Sequence, residues 1–228
     1  MVSGADAVGD VFSGFEGLAG SAGDDTLAGD SGDNLLLGDA GADSIAGGAG
    51  NDVVLGGPGW DTIDGGDGHD VLSFAGSTDW VSIYMASGLA ISANGDRDSF
   101  TGIEAVRGSE VGDGLYGSDN DDAIHGGGGG DYIFAGGGRD VVRGGTGDDV
   151  FYFTTTSGVD RILDFTPGAG EDRIQLDVGP LYSTFDAVIA AGHMAGGSAV
   201  FNFAPGLQLV LVGVDLATLA ADDFVFAA

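Results

Sequence analysis

Eleven oxygen-bearing side chains recur in this sequence at intervals of nine residues. Ten are aspartates and one is an asparagine, and they fall into two runs. The runs are Asp25, Asn34, Asp43, Asp52, Asp61 and Asp70, then Asp113, Asp122, Asp131, Asp140 and Asp149. Carboxylate and amide oxygens are the ligands that hard divalent cations prefer. The column therefore indicates metal binding, whereas acid–base catalysis by carboxylates needs only one or two placed acids.

These acids belong to an uninterrupted nine-residue repeat. Six rows run from Gly20 to Ser73 (the first array) and five from Gly108 to Tyr152 (the second array). Positions one, two and four of a row are mostly Gly, which tolerates a tight turn, and position six carries the acid. Position eight is always apolar: Leu27, Leu36, Ile45, Val54, Ile63, Leu72, Leu115, Ile124, Ile133, Val142 and Phe151. A three-residue strand with only its middle side chain inward produces this last column.

One row is a turn plus a short strand and is too small to bury anything alone. Two rows make one coil with a strand on each side, and stacked coils bury the position-eight column continuously. The turns of rows i and i+2 then lie on the same edge, one strand spacing of about 4.8 Å apart. Carboxylates at that separation repel one another unless cations bind between them, and Ca²⁺ takes six to eight oxygens of mixed kind.

Composition and charge exclude several classes of function. Thirty-six acids face six bases and the net charge is -30, so nucleic acid is not a partner and anionic membrane surfaces are disfavoured. Cys is absent, which excludes disulfides and thiolate metal sites. No apolar run reaches the roughly 18 residues of a membrane helix, so we expect no membrane insertion. A merely solvated acidic surface is the alternative, although the acids are regularly spaced.

The two arrays resemble the repeats-in-toxin (RTX) nonapeptide arrays. The resemblance implies an all-β fold, a right-handed parallel β-roll (β-solenoid) in two arrays joined by a strand-rich spacer. It also implies Ca²⁺ between rows i and i+2, held by the position-six acids and by carbonyls of positions one to four. About seven sites or more follow, and those touching Asn34, Val111 and Asn120 depart from the family pattern. A trivalent lanthanide could occupy the same oxygen cages.

The resemblance extends the metal-binding set to the turn residues that supply carbonyl oxygens. In the first array these are Gly29, Ser31, Gly38, Ala40, Gly47, Gly48, Ala49, Gly50, Gly56, Gly57, Pro58, Gly59, Gly65, Gly66 and Gly68. In the second array they are Gly117, Asp119, Gly126, Gly127, Gly128, Gly129, Gly136, Gly138, Gly145 and Gly147.

Irregular segments flank the arrays. Residues 74–107 contain alternating stretches, Val81–Met85 and Leu89–Ala93, that predict strands before a turn at Asn94-Gly95. The stretch 100–109 repeats the pattern of 12–21, so residues 1–19 are interpreted as the end of a spacer. We therefore expect five segments, 1–19, 20–73, 74–107, 108–152 and 153–228, and a fragment of a longer protein.

Residues 153–228 resemble the family's C-terminal cap, mostly β with one or two short helices. Short strands are expected near Asp160 and Asp172, and a helix over Tyr182–Ala191 with Ser183 or Thr184 as its cap and Gly192 as its stop. A strand over Leu207–Val214 and a short helix from Asp215 to Ala221 follow. The last seven residues, acids and then hydrophobic residues, resemble the uncleaved C-terminal signal of type I secretion substrates.

Neither a zinc motif nor a nucleophile elbow is present, and the three histidines, His69, His125 and His193, are isolated. We predict no enzyme, but a calcium-binding RTX module of a secreted, extracellular bacterial protein that uses the type I secretion machinery. Its parent could be a protease, lipase or epimerase. The alternative is a stand-alone or adhesin-derived module that binds a polysaccharide or a cell surface. Trp60 and Trp80 could stack on sugars, but we expect no aromatic stripe repeating in every second row, which would favour that alternative.

Overall fold

The computed structural model describes residues 2–3 and 17–226, and its contacts divide the chain into two compact units, Met1–Ser109 and Glu110–Ala228. Most of the predicted first segment lies outside the described residues, as do Ala227 and Ala228. Both units are all-β and built mainly of parallel strands. The expected fold class is confirmed, while the five segment boundaries remain predictions.

Twelve strands are described in the first unit. They are β1 (Val2–Ser3), β2 (Gly17–Ala19), β3 (Thr26–Ala28), β4 (Leu35–Leu37), β5 (Ser44–Ala49), β6 (Val53–Leu55), β7 (Thr62–Asp67), β8 (Val71–Ser73), β9 (Val81–Tyr84), β10 (Leu89–Ser92), β11 (Arg97–Thr101) and β12 (Ala105–Arg107). One sheet has the order β1-β2-β4-β6-β8-β12, and the other has the order β3-β5-β7-β11-β10-β9.

Alternate rows pair in parallel, so each strand lies beside the strand two rows further along the chain. Leu36 lies opposite Val54, and Ile45 lies opposite Ile63. The prediction that rows i and i+2 share an edge is therefore confirmed. Every position-eight side chain is buried, with at most 4% of its surface exposed, so the column forms the core of each unit.

The spacer of the first unit continues both sheets. Strands β9 and β10, which the sequence indicated, pair antiparallel, and a 3-10 helix over Met85–Ser87 lies between them. Strand β11 then pairs in parallel with β7, placing Phe100 opposite Ile63, and β12 pairs with β8, placing Val106 opposite Leu72. At these two joints the chain between paired strands is longer than the two rows that separate them within an array.

Eleven strands are described in the second unit. They are β13 (Gly114–Ser118), β14 (Ala123–Gly128), β15 (Tyr132–Gly136), β16 (Val141–Thr146), β17 (Val150–Thr154), β18 (Val159–Ile162), β19 (Arg173–Asp177), β20 (Gly192–Ala195), β21 (Ser198–Ala204), β22 (Leu207–Leu211) and β23 (Phe224–Phe226). One sheet has the order β14-β16-β18-β22-β21-β20, and the other has the order β13-β15-β17-β19-β23.

The C-terminal segment extends the stack and then ends it. Helix α1 spans Phe185–Ala191, shorter than expected, because Pro180–Tyr182 form a separate 3-10 turn. Thr184 is its N-cap and accepts a hydrogen bond from the backbone N–H of Ala187. Strand β22 is also shorter than expected, and two 3-10 turns, Leu216–Thr218 and Ala221–Asp223, replace the helix after Asp215. Antiparallel β20 and β21 border the sheet beyond β22.

An aromatic stripe runs across β13, β15 and β17. Tyr116, Phe134 and Tyr152 recur in every second row, so the expectation that no such stripe exists is wrong. Ring centroids lie 6.3 Å apart for Tyr116 and Tyr132, 6.1 Å for Tyr132 and Tyr152, and 5.6 Å for Phe134 and Tyr152. All four rings are half-buried because they pack on one another. The stripe is therefore a packing ladder between strands.

Candidate metal centres

The position-six acids form a hydrogen-bonded ladder along each array. One carboxylate oxygen, Oδ1, accepts a hydrogen bond from the backbone N–H of the position-six residue two rows earlier. Seven such bonds, 2.7–2.9 Å long, join described residues of the arrays: Asp25 to Asp43, Asn34 to Asp52, Asp43 to Asp61, Asp52 to Asp70, Asp113 to Asp131, Asp122 to Asp140 and Asp131 to Asp149. The ladder fixes each carboxylate between neighbouring turns.

The other carboxylate oxygen, Oδ2, is buried without a hydrogen-bond partner in the same seven acceptors. These are Asp43, Asp52, Asp61, Asp70, Asp131, Asp140 and Asp149, each at most 2% exposed. A buried charged oxygen left unpartnered costs several kcal/mol, so this arrangement calls for a cation. Seven is also the number of row pairs i and i+2 that the two arrays contain.

A backbone carbonyl converges on the same space as the orphaned oxygen. A Cβ atom added to Gly38 would overlap both Asp43 Oδ2 and the carbonyl oxygen of Gly56. The same holds at Gly47, with Asp52 and Gly65, and at Gly126, with Asp131 and Gly144. Glycine at position one therefore keeps open a cradle of carboxylate and carbonyl oxygens.

Glycines at positions two and four let successive turns stack closely. Gly57 has φ 102° and a Cβ there would overlap the carbonyl oxygen of Asp39, the position-two residue two rows earlier. Gly59 has φ 153° and faces the carbonyl oxygen of Gly41 in the same way. The turns thus bring main-chain oxygens to one edge of each sheet, where they are available to a cation.

In one row near the start of each array, the serine at position two donates hydrogen bonds to the position-six acid of the same row. Ser21 donates to Asp25 Oδ2 from its backbone N–H (2.6 Å) and its hydroxyl (3.0 Å). Ser118 does the same for Asp122, at 2.6 and 2.9 Å. The serines at position two therefore supply hydrogen bonds of the kind that Oδ2 lacks in the seven rows above.

Burial raises the pKa of the orphaned carboxylates. The pKa of Asp61 rises to about 6, that of Asp131 to about 8 and that of Asp149 to about 6, because burial penalises the charged form and neighbouring carboxylates add repulsion. The pKa values of Asp43, Asp52 and Asp70 are also raised, chiefly by burial. Burial therefore disfavours ionisation of this column, and a bound positive charge would favour it.

Four acids outside the rows continue the ladder, and the sequence predictions missed them. Asp61 donates to Asp98 (3.0 Å), Asp70 to Glu104 (2.9 Å), Asp140 to Asp160 (3.3 Å) and Asp149 to Asp172 (3.0 Å), each from its backbone N–H. Each acid stands two residues before an inward apolar residue: Phe100, Val106, Ile162 and Ile174. That spacing, the same as between positions six and eight, is the signal that could have found them.

Two of these joint acids are strongly perturbed. Burial, followed by repulsion from Asp61 and Asp96, raises the pKa of Asp98 to about 7. Burial and the adjacent Asp140 raise the pKa of Asp160. The pKa values of these two carboxylates are therefore raised by the same causes, burial and neighbouring carboxylates, as those in the arrays.

The remaining predicted ligands lie in the turns and at the ends of strands, as with Gly47 and Gly48 in β5 and Gly65 and Gly66 in β7. The position-one glycines beside the acids include Gly20 and Gly144, which the predicted set omitted. Position-three residues such as Ser31, Pro58 and Asp119 are exposed. The carbonyl oxygen of Pro58 accepts a hydrogen bond from Gly41 at 3.0 Å, which leaves one lone pair for a cation. Asn34 Oδ1 accepts from the backbone N–H of Asp30, so its row has no orphaned oxygen like the seven.

The donor set fits calcium. Within residues 2–3 and 17–226, no three His, Cys, Asp or Glu side chains come together as a metal cluster. A cation here would therefore be held largely by main-chain carbonyls, with one or two carboxylates. All donors are hard oxygens, and mixed carbonyl and carboxylate shells suit Ca²⁺ better than Zn²⁺ or Mg²⁺.

A family model described as the RTX calcium-binding nonapeptide repeat (4 copies) matches residues 13–45, 37–72 and 116–151. Comparison with curated protein sequences gives no match. In the part of the chain that is described, no helix has the length and apolarity needed to cross a bilayer.

Two solved structures show weak overall similarity. The extracellular lipase LipA from Serratia marcescens is 20% identical, with a TM-score of 0.40, and the match covers 96% of this chain and 41% of the lipase. The AlgE6R3 subunit of the Azotobacter vinelandii mannuronan C5-epimerase is 22% identical, with a TM-score of 0.26, covering 98% of this chain and 85% of that one. This chain thus spans about two fifths of the lipase, and neither similarity is close enough to transfer a property.

Proposed function

Because both arrays consist of RTX calcium-binding nonapeptide repeats, we propose that this chain is a structural module that folds on extracellular calcium and stabilises the protein that carries it. The observation that supports this most is the set of seven buried, unpartnered Asp Oδ2 atoms, each in a turn that also offers main-chain oxygens. We propose seven calcium ions in the arrays, with further ones at the joints formed by Asp98, Glu104, Asp160 and Asp172.

Bound calcium would supply positive charge and satisfy the orphaned oxygens. The residues of the chain would position these oxygens and shield them from water. The acid ladder positions each carboxylate, the position-one glycines leave the cradle open, and the position-eight column excludes water beneath it. These features bring the acids together only when the coils stack. Folding and calcium binding are therefore coupled.

The coupling is large enough to decide whether the module folds. Extracellular calcium modules bind with Kd of roughly 10⁻⁴ to 10⁻³ M. At about 1 mM calcium, a site with Kd near 10⁻⁴ M contributes about 1.4 kcal/mol, so seven sites contribute on the order of 10 kcal/mol. That equals the net stability of a typical domain. At the low calcium concentration inside a cell the same contribution is close to zero.

We infer that the chain is exported unfolded through a type I secretion machinery of a bacterium and folds outside. Support comes from the C-terminal tail, where Asp223 is fully buried and accepts hydrogen bonds from Gly168 and Ala220, both at 2.7 Å. Phe224 is buried in β23, which pairs with β19. Asp223 and Phe224, packed in this way, are accessible to a receptor only before the module folds.

Isothermal titration of the metal-free chain with Ca²⁺, followed by circular dichroism, tests the proposal. We expect at least seven ions per chain and a cooperative gain of β signal on calcium addition. Mg²⁺ at the same concentration serves as the control, since it demands a tighter octahedral shell and gives no such gain. A fully folded spectrum in EDTA, or fewer than three ions bound, would overturn it.

A further inference from the structure

The first unit contains a cleft of about 290 Å³ between a turn of the first array and the spacer. Pro58 and Phe74 supply apolar surface, and Asp79, Asn94 and Asp96 supply polar groups. This combination of apolar surface with a few polar groups is typical of small-molecule sites, and the volume lies at their lower end. None of these residues belongs to the acid ladder.

The polar side of the cleft is held in place by its own hydrogen bonds. Asp96 Oδ2 accepts from the backbone N–H of Gly59 (3.1 Å) and from the side-chain amide of Asn94 (2.6 Å). Asn94 Oδ1 accepts in turn from the backbone N–H of Asp96 (2.9 Å). These bonds use one oxygen of Asp96 and one N–H of the Asn94 amide. An acceptor on Asp96 and a donor on Asn94 therefore remain for a ligand.

The two tryptophans of the chain stand on the chain segments that form this cleft. Trp60 is 63% exposed and follows Gly59, which is bonded to Asp96. Trp80 is 46% exposed and follows Asp79, and its carbonyl oxygen accepts from the N–H of Ala93, next to Asn94. A single exposed apolar residue needs no explanation, but two exposed indoles on the segments that form one polar cleft favour a contact surface for a ligand.

We propose that this cleft binds a neutral saccharide. Sugar hydroxyls donate hydrogen bonds to carboxylates such as Asp79 and Asp96, and the C–H faces of the sugar pack on indole and on Pro58 and Phe74. Among the described residues that line the cleft none is basic, so two aspartates would repel a uronate or a phosphate. The volume accommodates one or two sugar rings.

Tryptophan fluorescence tests the site directly, because Trp60 and Trp80 are the sole indoles. The full chain in saturating calcium is titrated with neutral tetrasaccharides of glucose, mannose, galactose and xylose, and with tetramannuronate as the anionic probe. We expect at least one neutral sugar to shift the emission with a millimolar Kd, and no response to tetramannuronate. Trp60→Phe and Trp80→Phe each remove part of the response.

Matched variants separate binding from folding. Asp79→Ala should weaken binding about tenfold through loss of a charged hydrogen bond, whereas Asp67→Ala, an exposed acid away from the cleft, should leave it unchanged. Circular dichroism in calcium checks that each variant is folded. A folded chain that binds none of the neutral sugars, or that binds tetramannuronate instead, overturns the saccharide site and leaves the calcium proposal standing.

Discussion

The two arrays share an inner design and differ on their outer faces. Both bury the position-eight column and carry the acid ladder with orphaned oxygens. At position seven of alternate rows the first array has the exposed hydroxyl residues Thr26, Ser44 and Thr62, whereas the second has Gly114, Tyr132 and Val150. Tyr132 packs against Tyr116 and Tyr152. Stacking and the acid ladder constrain the inner face, while the outer face differs between the arrays.

The outer face therefore decides how much of an array's stability depends on calcium. Cross-strand aromatic pairs contribute roughly 0.5–1.5 kcal/mol each, and the second array has three of them. Small hydroxyl residues contribute less than that. We expect the second array to retain more structure than the first when calcium is removed.

Removing calcium is the most direct test of this difference between the two arrays. At about 1 mM calcium and Kd near 10⁻⁴ M, four sites give the first array about 6 kcal/mol and three sites give the second about 4 kcal/mol. Hydrogen exchange followed by mass spectrometry, with and without EDTA, reports each array separately. Protection should fall further in residues 20–73 than in residues 108–152. Equal loss in both would contradict the assigned role of the aromatic ladder.

Filling one cradle in each array has the next largest effect. Gly47→Ala and Gly126→Ala each place a Cβ against an acid and a carbonyl, so each should displace one ion and cost about 3 kcal/mol. The control is Gly23→Ala, where a Cβ meets nothing within 4 Å, and its effect should be near zero. Calcium titration counts the ions, and chemical unfolding in calcium gives the free energy. An unchanged ion count would place the sites elsewhere.

Exchanging the outer residues sharpens the comparison. Tyr132→Thr gives the second array the residue that the first has at Thr62, and should cost about 1–2 kcal/mol through loss of two ring contacts. The matched change Thr62→Ala should cost less than about 0.5 kcal/mol because the side chain is exposed. Urea unfolding in calcium measures both, and the ion count should not change in either.

A pH titration without metal should give an effect with a defined sign. Folding raises the pKa of Asp131 to about 8 and that of Asp61 to about 6 from an ordinary value of 3.8, so folding favours the protonated forms. Their contribution to stability is full below about pH 4 and is lost as the pH rises through 6 at Asp61 and 8 at Asp131. In EDTA, acidification from pH 8 to 5 should therefore increase the folded signal. The increase should begin at a lower pH in the first array than in the second, because the pKa of Asp61 is lower than that of Asp131. In calcium the same acidification should release ions and lower stability.

The repeat made most of the fold and the ladder predictable. Each row is surrounded by copies of itself two rows away, so the local pattern and the tertiary contacts carry the same information. Asp43 and Ile45 could therefore be assigned to the stacked turns and the core from their column alone. The seven orphaned oxygens fall on the row pairs that the period indicated.

The joints were not predictable by the same route. Asp98, Glu104, Asp160 and Asp172 occupy equivalent places, but loops of different length separate them from the rows, and loop length does not follow from the period. The ends of several helices and strands near the C-terminus also differ from the predicted ends. Gly213, with φ 78°, interrupts the predicted strand before Val214, a backbone feature that apolar patterning does not reveal.

The pairing of every second row has a consequence for how such a chain can lengthen. Consecutive rows lie in opposite sheets, so inserting a single nonapeptide would transfer every later strand to the other sheet. Placed between the rows of Tyr116 and Tyr132, it would separate these two rings. Inserting two would add one full coil and leave all later neighbours in place. Genetic expansion or loss of these arrays should therefore proceed in steps of two rows, unless a loop of flexible length absorbs the difference.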